Sequence, residues 1–531
     1  MYDIVNQIIF RLQNCESDIT VFQFGRKTHC QLRELYPRVV RAALYFNKLG
    51  LRPGDRVGIL AKNSIEWIVI DLTCLATGVI NAAFDINAAY DPAQLIDEYQ
   101  LRLLFTDVDR YLQVPVTDVY NLHTFEHEID RFSLAQENNL NAHFKPYQFR
   151  GDEVSTLKFT SGSTGKPKGL GARVNSINDS ISHVQDLFNH SSSEALFVFL
   201  PLSLLQQRYW IYSAIYFQHN VIITNYEFAL LALKLTQPSV VMGVPGFFDL
   251  IMASLSQQLK QNTALENECR ERILHYQNSG RKALPLQCFK PLADILGGNI
   301  RYLWTGSAPA SLAMLDFFNA LGAPLFEGYG MNETCIVAKN CFHAHRPGSA
   351  GQVIGSKQIL FDANQQILVK SRHPINDRYA HCADPNEQFV FQDDGIVATG
   401  DVGYLDDDGF LYISGRIKEV ICLANGKNIY PRSIEEKLTQ ISCIKHAVVF
   451  GSGRPYLVAV IVAAHENVTE QAIQTCFDNL NTSLYNDEKL RKYIIADTEF
   501  SRENGLLTSQ YKVKRQDIYR RYATQIERLY N

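Results

Sequence analysis

A stretch of twelve residues, 158–169, constrains this chain more than any other part of it. It reads Lys-Phe-Thr-Ser-Gly-Ser-Thr-Gly-Lys-Pro-Lys-Gly, and its last ten positions supply three glycines, four hydroxyls and two lysines. Glycine lets backbone N–H groups approach and point at oxygen atoms, hydroxyls donate hydrogen bonds or reach Mg²⁺, and lysines offset negative charge. Apolar residues at Val154, Leu157 and Phe159 predict a strand before it. The stretch therefore predicts a strand that runs into a phosphate-binding loop.

The loop is not a Walker A loop, because that pattern needs Gly-Lys-Ser/Thr five residues after its first glycine. Pro167 stands at that point here. A flexible surface linker is the alternative, but linkers rarely end a Thr/Ser/Gly run with Lys-Pro-Lys-Gly. The residues predicted to contact phosphates are Thr160, Ser161, Gly162, Ser163, Thr164, Gly165, Lys166 and Lys168.

Residues 160–169 resemble the phosphate loop of the adenylate-forming enzymes, a group that includes acyl-CoA synthetases, luciferases and peptide-synthetase adenylation domains. That resemblance implies an ATP substrate and Mg²⁺, with Thr160 and Glu333 among the catalytic residues and Thr164 and Glu333 at the metal. One motif could mislead, so the rest of the chain must supply the other parts in order.

Composition excludes several classes of function. The chain has 531 residues, of which 46% are hydrophobic and 20% charged, and its net charge of −4 provides no overall basic field for nucleic acid or anionic lipid. The eleven cysteines are an odd number without a CxxC, which indicates mostly buried free thiols in a reducing compartment. The start of the chain lacks the features of a signal peptide. We therefore expect a cytoplasmic protein.

The longest apolar stretch, from Trp67 to Phe84, contains Asp71 and Asn81. It is therefore interpreted as a buried segment instead of a transmembrane span. A peripheral contact with a membrane stays open.

Residues 20–110 alternate strand-like runs with helical spacing, which indicates an α/β fold. Together with the resemblance, this predicts a large N-terminal domain of layered sheets and helices and a small, mobile α+β C-terminal domain. The expected boundaries are 1–414 for the N-terminal domain, 415–418 for the hinge and 419–531 for the C-terminal domain. Residues 254–290 are polar with helical spacing and are expected to form surface helices.

Two strand-and-loop segments are predicted to hold the adenylate, since open α/β sheets bind ligands at the carboxyl ends of their strands. Ile300–Trp304 leads into a first loop, and Pro324–Phe326 leads into a second that resembles the family pattern Gly-Tyr-Gly-x-Thr-Glu. Tyr329 offers a flat face for adenine, Glu333 is a hard oxygen ligand for Mg²⁺, and Thr334 can donate to a phosphate. Asn332 stands where the family has threonine. The predicted contact residues are Gly306, Ser307, Ala308, Pro309, Glu327, Gly328, Tyr329, Gly330, Met331, Asn332 and Thr334.

Further site residues follow towards the C-terminus. Asp401 ends a predicted strand, and its carboxylate can accept bonds from both ribose hydroxyls, as it does in the family. Residues 411–419 resemble the family's domain junction, which implies nucleotide contacts from Ile413 and Arg416, a catalytic role for Arg416 and a hinge role for Lys418. Residues 506–515 resemble its C-terminal lysine motif. Spacing favours Lys512 as the catalytic lysine, with Lys514 as the alternative.

Two patterns that could suggest metal sites receive plainer interpretations. His343-Ala344-His345 lacks further spaced ligands and is interpreted as loop polarity. Asp406-Asp407-Asp408-Gly409 lacks the later ligands of a calcium-binding EF-hand loop and is predicted to be a turn between two strands.

The acid substrate is inferred from finer resemblance. Leu200-Pro201-Leu202 and Arg208 resemble an element of long-chain fatty acyl-CoA synthetases, although Leu204 replaces a histidine associated with the acyl pocket and the thioester step. The predicted reaction is ATP-dependent formation of a fatty acyl-AMP, with release of pyrophosphate and transfer to coenzyme A. One alternative is a ligase that loads an acyl carrier protein. Another is a degenerate relative that only binds nucleotide or acyl groups.

Overall fold

The computed structural model describes residues 1–86, 88, 90–113, 118–133, 144–161, 167–281, 287–382, 384–441, 443–465, 467–501, 503–507 and 513–531. The α-helices in these ranges are α1 (Ile4–Leu12), α2 (Leu35–Lys48), α3 (Ile65–Thr77), α4 (Pro92–Tyr99), α5 (Asp109–Leu112), α6 (Phe125–Ser133), α7 (Val174–Phe188), α8 (Leu205–Phe217), α9 (Ala229–Thr236), α10 (Pro245–Leu259), α11 (Thr263–Asn278), α12 (Lys290–Leu296), α13 (Leu312–Ala320), α14 (Pro431–Thr439), α15 (Glu470–Thr482) and α16 (Arg515–Arg528).

The strands are β1 (Asp18–Gln23), β2 (Arg26–Gln31), β3 (Arg56–Leu60), β4 (Ile80–Ala83), β5 (Leu101–Thr106), β6 (Val119–Asn121), β7 (Val154–Ser161), β8 (Pro167–Arg173), β9 (Ala195–Val198), β10 (Asn220–Ile223), β11 (Val240–Gly243), β12 (Tyr302–Thr305), β13 (Leu325–Met331), β14 (Cys335–Lys339), β15 (Gln352–Val353), β16 (Lys357–Phe361), β17 (Gln366–Ser371), β18 (Ile396–Leu405), β19 (Leu411–Arg416), β20 (Ile421–Cys422), β21 (Asn428–Ile429), β22 (Ile444–Phe450), β23 (Leu457–Ala463) and β24 (Leu490–Ile495).

Two large sheets form most of the molecule. One has the strand order β15-β14-β13-β12-β11-β9-β10-β1-β2, and the other has the order β6-β5-β3-β4-β7-β8. Both are parallel through their central strands. The larger sheet has antiparallel strands at both ends, and the smaller one has an antiparallel pair, β7–β8, at one end. Their short central strands are almost wholly buried, as expected for parallel sheets covered by helices on both faces. The α/β prediction is confirmed, with loops for the site at the carboxyl ends of strands in two different sheets.

One hydrophobic core joins the two sheets. It includes Val57 and Phe105 from the smaller sheet, Val198 and Tyr302 from the larger one, and the apolar faces of α3, α7 and α8. The elements on which the predicted phosphate and adenine loops are built therefore share a core and have a fixed relative position.

The C-terminal part is smaller and mixes helices with short sheets. Strands β22–β24 form its main sheet, with a core on each face, one of which includes residues of α14 and α15 and the other residues of α16. Strands β16–β19, which precede it in the chain, form a separate antiparallel sheet. The prediction of a large N-terminal domain and a smaller α+β C-terminal domain is confirmed.

Several predicted boundaries are wrong by a few residues, for local reasons. The apolar run Leu196–Leu202 predicts a strand over its whole length, but β9 ends at Val198, two residues before the rigid Leu200-Pro201 step. The sequence Val240–Pro245 also predicts a strand, but β11 ends at Gly243, because proline suits the first position of a helix and begins α10. Residues 327–331 were expected in a loop, but they continue β13 because they pair with β14.

Other local predictions are confirmed. Residues 406–409 form the turn between β18 and β19, where Asp406 and Asp408 pair with Arg346. The stretch from Trp67 to Phe84 forms α3 and β4, and within the described ranges no helix has the length and apolarity needed to cross a membrane.

Candidate active site

The predicted phosphate loop connects two antiparallel strands of the smaller sheet. β7 and β8 pair from Val154 to Ser161, where Ser161 lies opposite Pro167. This register holds both ends of the loop at the edge of the site. Gly162, Ser163, Thr164, Gly165 and Lys166 lie outside the described residues, and only the backbone of Thr160 and Ser161 is described.

A tyrosine links Glu333 to the phosphate hairpin, which is formed by strands β7 and β8 on either side of the predicted phosphate loop. The Tyr379 hydroxyl donates a hydrogen bond to Glu333 Oε1 at 2.5 Å, and Lys168 Nζ lies 4.9 Å from the centre of the Tyr379 ring. The backbone around Tyr379 is itself attached to β8, because Ala380 N donates to the carbonyl of Gly169 at 2.8 Å. The structure thus brings the predicted metal ligand next to the predicted phosphate hairpin.

The two adenylate segments lie side by side in the larger sheet, since β12 pairs with β13. Gly306, Ser307, Ala308 and Pro309 follow β12 directly, while Glu327, Gly328, Tyr329, Gly330 and Met331 form the second half of β13. A glycine is required at 330, because a Cβ there would lie 2.1 Å from the carbonyl oxygen of Cys335. The backbone of β13 therefore lies close to that of β14 within the second predicted adenylate segment.

The turn that carries Asn332 and Glu333 is held by Thr334. Its Oγ1 accepts a hydrogen bond from Met331 N at 3.1 Å and donates one to the carbonyl of Cys335 at 3.0 Å. The Thr334 hydroxyl would have to leave that carbonyl before it could donate to a phosphate. The structure shows this hydroxyl fixing the turn, which positions the neighbouring Glu333.

Asp401 is the point where distant segments meet. Its side chain is buried on β18, Tyr329 donates to Oδ2 at 2.6 Å, and Arg416 Nε lies 2.9 Å from Oδ1. Burial, and then the Asp401 carboxylate, raise the pKa of Tyr329 well above its ordinary value, so its hydroxyl keeps its proton as the donor. Ile413 lies in the same small apolar cluster as Tyr329. Tyr329, Asp401, Ile413 and Arg416 thus belong to one site.

Two buried ionisable side chains, Lys339 and Glu327, lie on neighbouring strands at the second predicted adenylate segment. Sequence reasoning did not identify this pair. Lys339 Nζ lies 3.5 Å from the centre of the Trp304 ring and donates to the carbonyl of Phe326 at 3.1 Å. Glu327 accepts a bond from Ala310 N at 3.0 Å, and burial raises its pKa to about 7. A lysine inside the otherwise apolar strand Cys335–Lys339 was the available signal.

The raised pKa of Glu327 predicts a pH-dependent stability. A carboxyl group that holds its proton more tightly in the folded state stabilises the fold below its unfolded pKa and loses that contribution as pH rises through about 7. Between pH 4.5 and 7 we expect this group alone to cost roughly 3 kcal/mol of folding free energy. The free energy of unfolding, measured with urea at several pH values in this range, should fall less in Glu327→Gln than in wild type. Parallel curves for the two proteins would contradict the assignment.

A second buried lysine precedes the phosphate loop. Lys158 on β7 is 2% exposed, its ammonium has no hydrogen-bond partner among the described residues, and burial lowers its pKa. Strand alternation places it on the same face as Thr156 and Thr160. Its position between Leu157 and Phe159 in a predicted strand was the signal that the sequence offered.

An apolar crevice lies beside the first predicted adenylate segment, next to Trp304. Its cavity volume is about 10 Å³, which is room for roughly one water molecule. The predicted pocket residue Leu204 packs instead against the neighbouring core, at the start of α8. The residues lining the crevice are Ile181, Val184, Gln206, Tyr209, Trp210, Ser213, Met242, Trp304 and Ile336.

The hinge and lysine segments are partly described. Lys418 is exposed in a short 3₁₀ turn, Ile417–Glu419, directly after β19. Lys512 lies outside the described residues, while Leu507 and Val513 on either side of its segment pair with each other. The ends of the lysine segment are therefore held together.

The structure describes no ready metal cluster. Within the described ranges, no group of three or more His, Cys, Asp or Glu side chains could hold a metal ion. Burial lowers the pKa of His345 to about 4, and its ring packs edge-on against Phe326.

Comparison with known proteins gives two family matches. Residues 11–371 match the sequence model of the AMP-binding enzymes, and residues 418–531 match that of the AMP-binding enzyme C-terminal domain. The long-chain-fatty-acid–CoA ligase FadD15 of Mycobacterium tuberculosis is 26% identical, over 100% of this chain and 97% of the relative. The long-chain-fatty-acid–CoA ligase ACSBG2 of Rattus norvegicus is also 26% identical, over 92% and 87%.

Solved structures agree on the fold. The o-succinylbenzoate CoA synthetase MenE from Bacillus subtilis, in complex with the acyl-adenylate OSB-AMP, superposes with a TM-score of 0.73 at 20% identity, covering 97% of each chain. ATP-bound MatB from Rhodopseudomonas palustris gives a TM-score of 0.74 at 19% identity, covering 98% of this chain and 99% of its own.

Proposed function

The chain belongs to the AMP-binding enzyme family of adenylate-forming acid–CoA ligases, and we propose that it activates a fatty acid with ATP and passes the acyl group to coenzyme A. The observation that carries this proposal is the meeting at Asp401, where Tyr329 and Arg416 contact one buried carboxylate from separate strands. A buried carboxylate that accepts two hydrogen bonds is suited to the two hydroxyls of a ribose.

ATP binding follows from this arrangement. The Tyr329 ring would lie against adenine, and the ribose hydroxyls would replace the Tyr329 or Arg416 bond to Asp401. The segment 160–168 would hold the phosphates, with Lys168 already at the edge of the site beside Tyr379. Gly306–Pro309 would border the nucleotide from the neighbouring strand end.

Magnesium fits the residues present. Mg²⁺ is usually bound through one or two carboxylates together with substrate phosphates, so a full protein cage is not needed. Glu333 supplies such a carboxylate, 6% exposed and oriented by the Tyr379 hydroxyl, and Thr164 would add a hydroxyl. Bound there, Mg²⁺ would offset phosphate charge.

The reaction has two steps. A carboxylate oxygen of the acid attacks the α-phosphorus of ATP, the bond to the β-phosphate oxygen breaks, and pyrophosphate leaves with that electron pair. The thiol sulfur of coenzyme A then attacks the acyl carbon, AMP leaves, and the thiol proton is released. The protein contributes positioning and charge stabilisation, and Lys512 would place its ammonium between the carboxylate and the α-phosphate.

The division of labour between domains is part of the proposal. We assign 1–414 to binding ATP and the acid, 415–418 to the hinge, and 419–531 to the domain that carries Lys512. Lys418, exposed in its turn, is the proposed hinge residue. Rotation at this hinge would switch the active site from the adenylate-forming step to the thioester-forming step.

Two observations support a fatty acid as the substrate. Relatives that match nearly the whole chain are named long-chain-fatty-acid–CoA ligases, and the crevice beside Trp304 is largely apolar. As it stands the crevice is too narrow for an alkyl chain, so side chains such as Trp210 would have to move. The eleven free thiols fit the reducing, cytoplasmic setting that the sequence predicts.

The deciding experiment is pyrophosphate release measured over straight-chain acids of increasing length. Burial of each further methylene contributes about 0.8 kcal/mol, so kcat/KM should rise roughly fourfold per CH₂ until the channel is filled. Coenzyme A and an acyl carrier protein are offered as acceptors in parallel, and thioester on the carrier alone would reassign the acceptor. Nucleotide binding without turnover of any acid would favour a binding protein.

A further inference from the structure

The hairpin between β1 and β2 presents a phenyl ring to solvent at a strained position. Gln23 pairs with Arg26, so Phe24 and Gly25 form a two-residue turn with φ of +50° and +73°. Positive φ suits asparagine or glycine at such a turn and is uncommon for a bulky side chain. Phe24 is nevertheless 81% exposed, so burial among the described residues does not explain a phenylalanine here.

Helix α9 is apolar on its outer face. Leu230, Leu231 and Leu235 are 38%, 50% and 50% exposed, and Lys234 lies among them. Its inner face is also apolar, because Ala232 and Leu233 are buried. A surface helix of a globular protein normally turns a polar face outwards, so this outer face lacks an apolar cover.

The turn and the helix form one surface. The Phe24 ring packs edge-on against Phe228 with their centres 5.5 Å apart, and Phe228 directly precedes α9. We call Phe24, Phe228, Leu230, Leu231 and Leu235 the apolar rim.

The charges around the apolar rim are mainly positive. Arg26 and Lys27 are exposed beside Phe24, and Lys234 lies on α9. The nearby Glu227 is bonded to Lys62 at 2.6 Å, which offsets its charge. The whole chain has a net charge of −4, so this positive surface is local.

We propose that the apolar rim docks on an anionic lipid bilayer. Exposed aromatic and leucine side chains that insert into the interface, flanked by lysine and arginine at the headgroups, are the two elements of peripheral membrane binding. A second copy of this chain fits less well, because a symmetric contact would bring the same cations together. Membrane docking does not depend on the acid or the acceptor proposed above, so the two proposals fail separately.

The test is co-sedimentation of the full chain with vesicles. Wild type should bind vesicles of phosphatidylcholine and phosphatidylglycerol, with weaker binding to pure phosphatidylcholine and in high salt. Phe24→Asn should weaken binding about tenfold. It should keep or raise thermal stability, because asparagine tolerates positive φ. Tyr485→Asn is the matched control, since Tyr485 is 83% exposed in the C-terminal domain.

A second pair of changes tests the charges. Lys27→Gln combined with Lys234→Gln should reduce binding to the anionic vesicles towards that seen with neutral ones. Equal binding of wild type and Phe24→Asn would overturn the proposal. So would a wild-type dimer in lipid-free solution that Phe24→Asn converts to a monomer, because a second copy would then be the occupant.

Discussion

Replacing Lys512 with alanine is expected to lower ATP–pyrophosphate exchange by about a hundredfold or more, which corresponds to roughly 3 kcal/mol of transition-state stabilisation. The acid and the α-phosphate are both anionic, and negative charge accumulates between them as the new bond forms. An ammonium group held there offsets that charge, whereas alanine leaves it to water. Exchange measured with saturating ATP and acid reports this half-reaction directly.

Lys514 provides the matched control for this prediction. It lies two residues further on, half-exposed, 3.4 Å from Asp517, and such surface ion pairs contribute little. Lys514→Ala should therefore exchange nearly as fast as wild type. Full exchange in Lys512→Ala, or a loss only in Lys514→Ala, would show that the wrong lysine has been assigned.

Asp401→Asn is expected to reduce kcat/KM for ATP by about a hundredfold or more. Hydrogen bonds to charged groups contribute about 1.5–3 kcal/mol each, and the carboxylate is proposed to accept two from the ribose. Asparagine keeps the size of the side chain but replaces one acceptor oxygen with a donor nitrogen. Initial rates of pyrophosphate release against ATP concentration measure the effect.

Two controls separate a binding defect from a folding defect. Asp408→Asn changes a 68% exposed carboxylate at the β18–β19 turn and should leave the kinetics unchanged. Thermal unfolding of Asp401→Asn shows how much the bonds to Tyr329 and Arg416 support the fold. Wild-type kcat/KM for ATP in a folded Asp401→Asn protein would remove Asp401 from the nucleotide site.

Sequence reasoning succeeded where the physics is local. Apolar runs such as Val57–Leu60 indicate buried strands without any knowledge of their partners, and this run is the buried part of β3. The turn at 406–409 was predictable for the same reason. Errors at Val198 and Gly243 were small, because a nearby proline sets these boundaries within a few residues.

Sequence reasoning failed where a role comes from contact between distant segments. Nothing near Tyr379 in the sequence indicates that its hydroxyl reaches Glu333, and nothing near Lys339 indicates that its ammonium lies over Trp304. Residues 327–331 were expected in a loop because glycines suggest irregular backbone, but pairing with β14 made them a strand.

By itself the sequence determined the local elements, the α/β class and the family, because these depend on residue types at fixed spacings along the chain. Tertiary structure alone decided which side chains meet. Tyr329 and Asp401 are separated by 72 residues, and their 2.6 Å contact exists because a small apolar cluster packs the β13–β14 end of the larger sheet against the β16–β19 sheet. Exposure of Phe24 was decided in the same way, since a phenylalanine in the sequence suggests a core until packing leaves it outside.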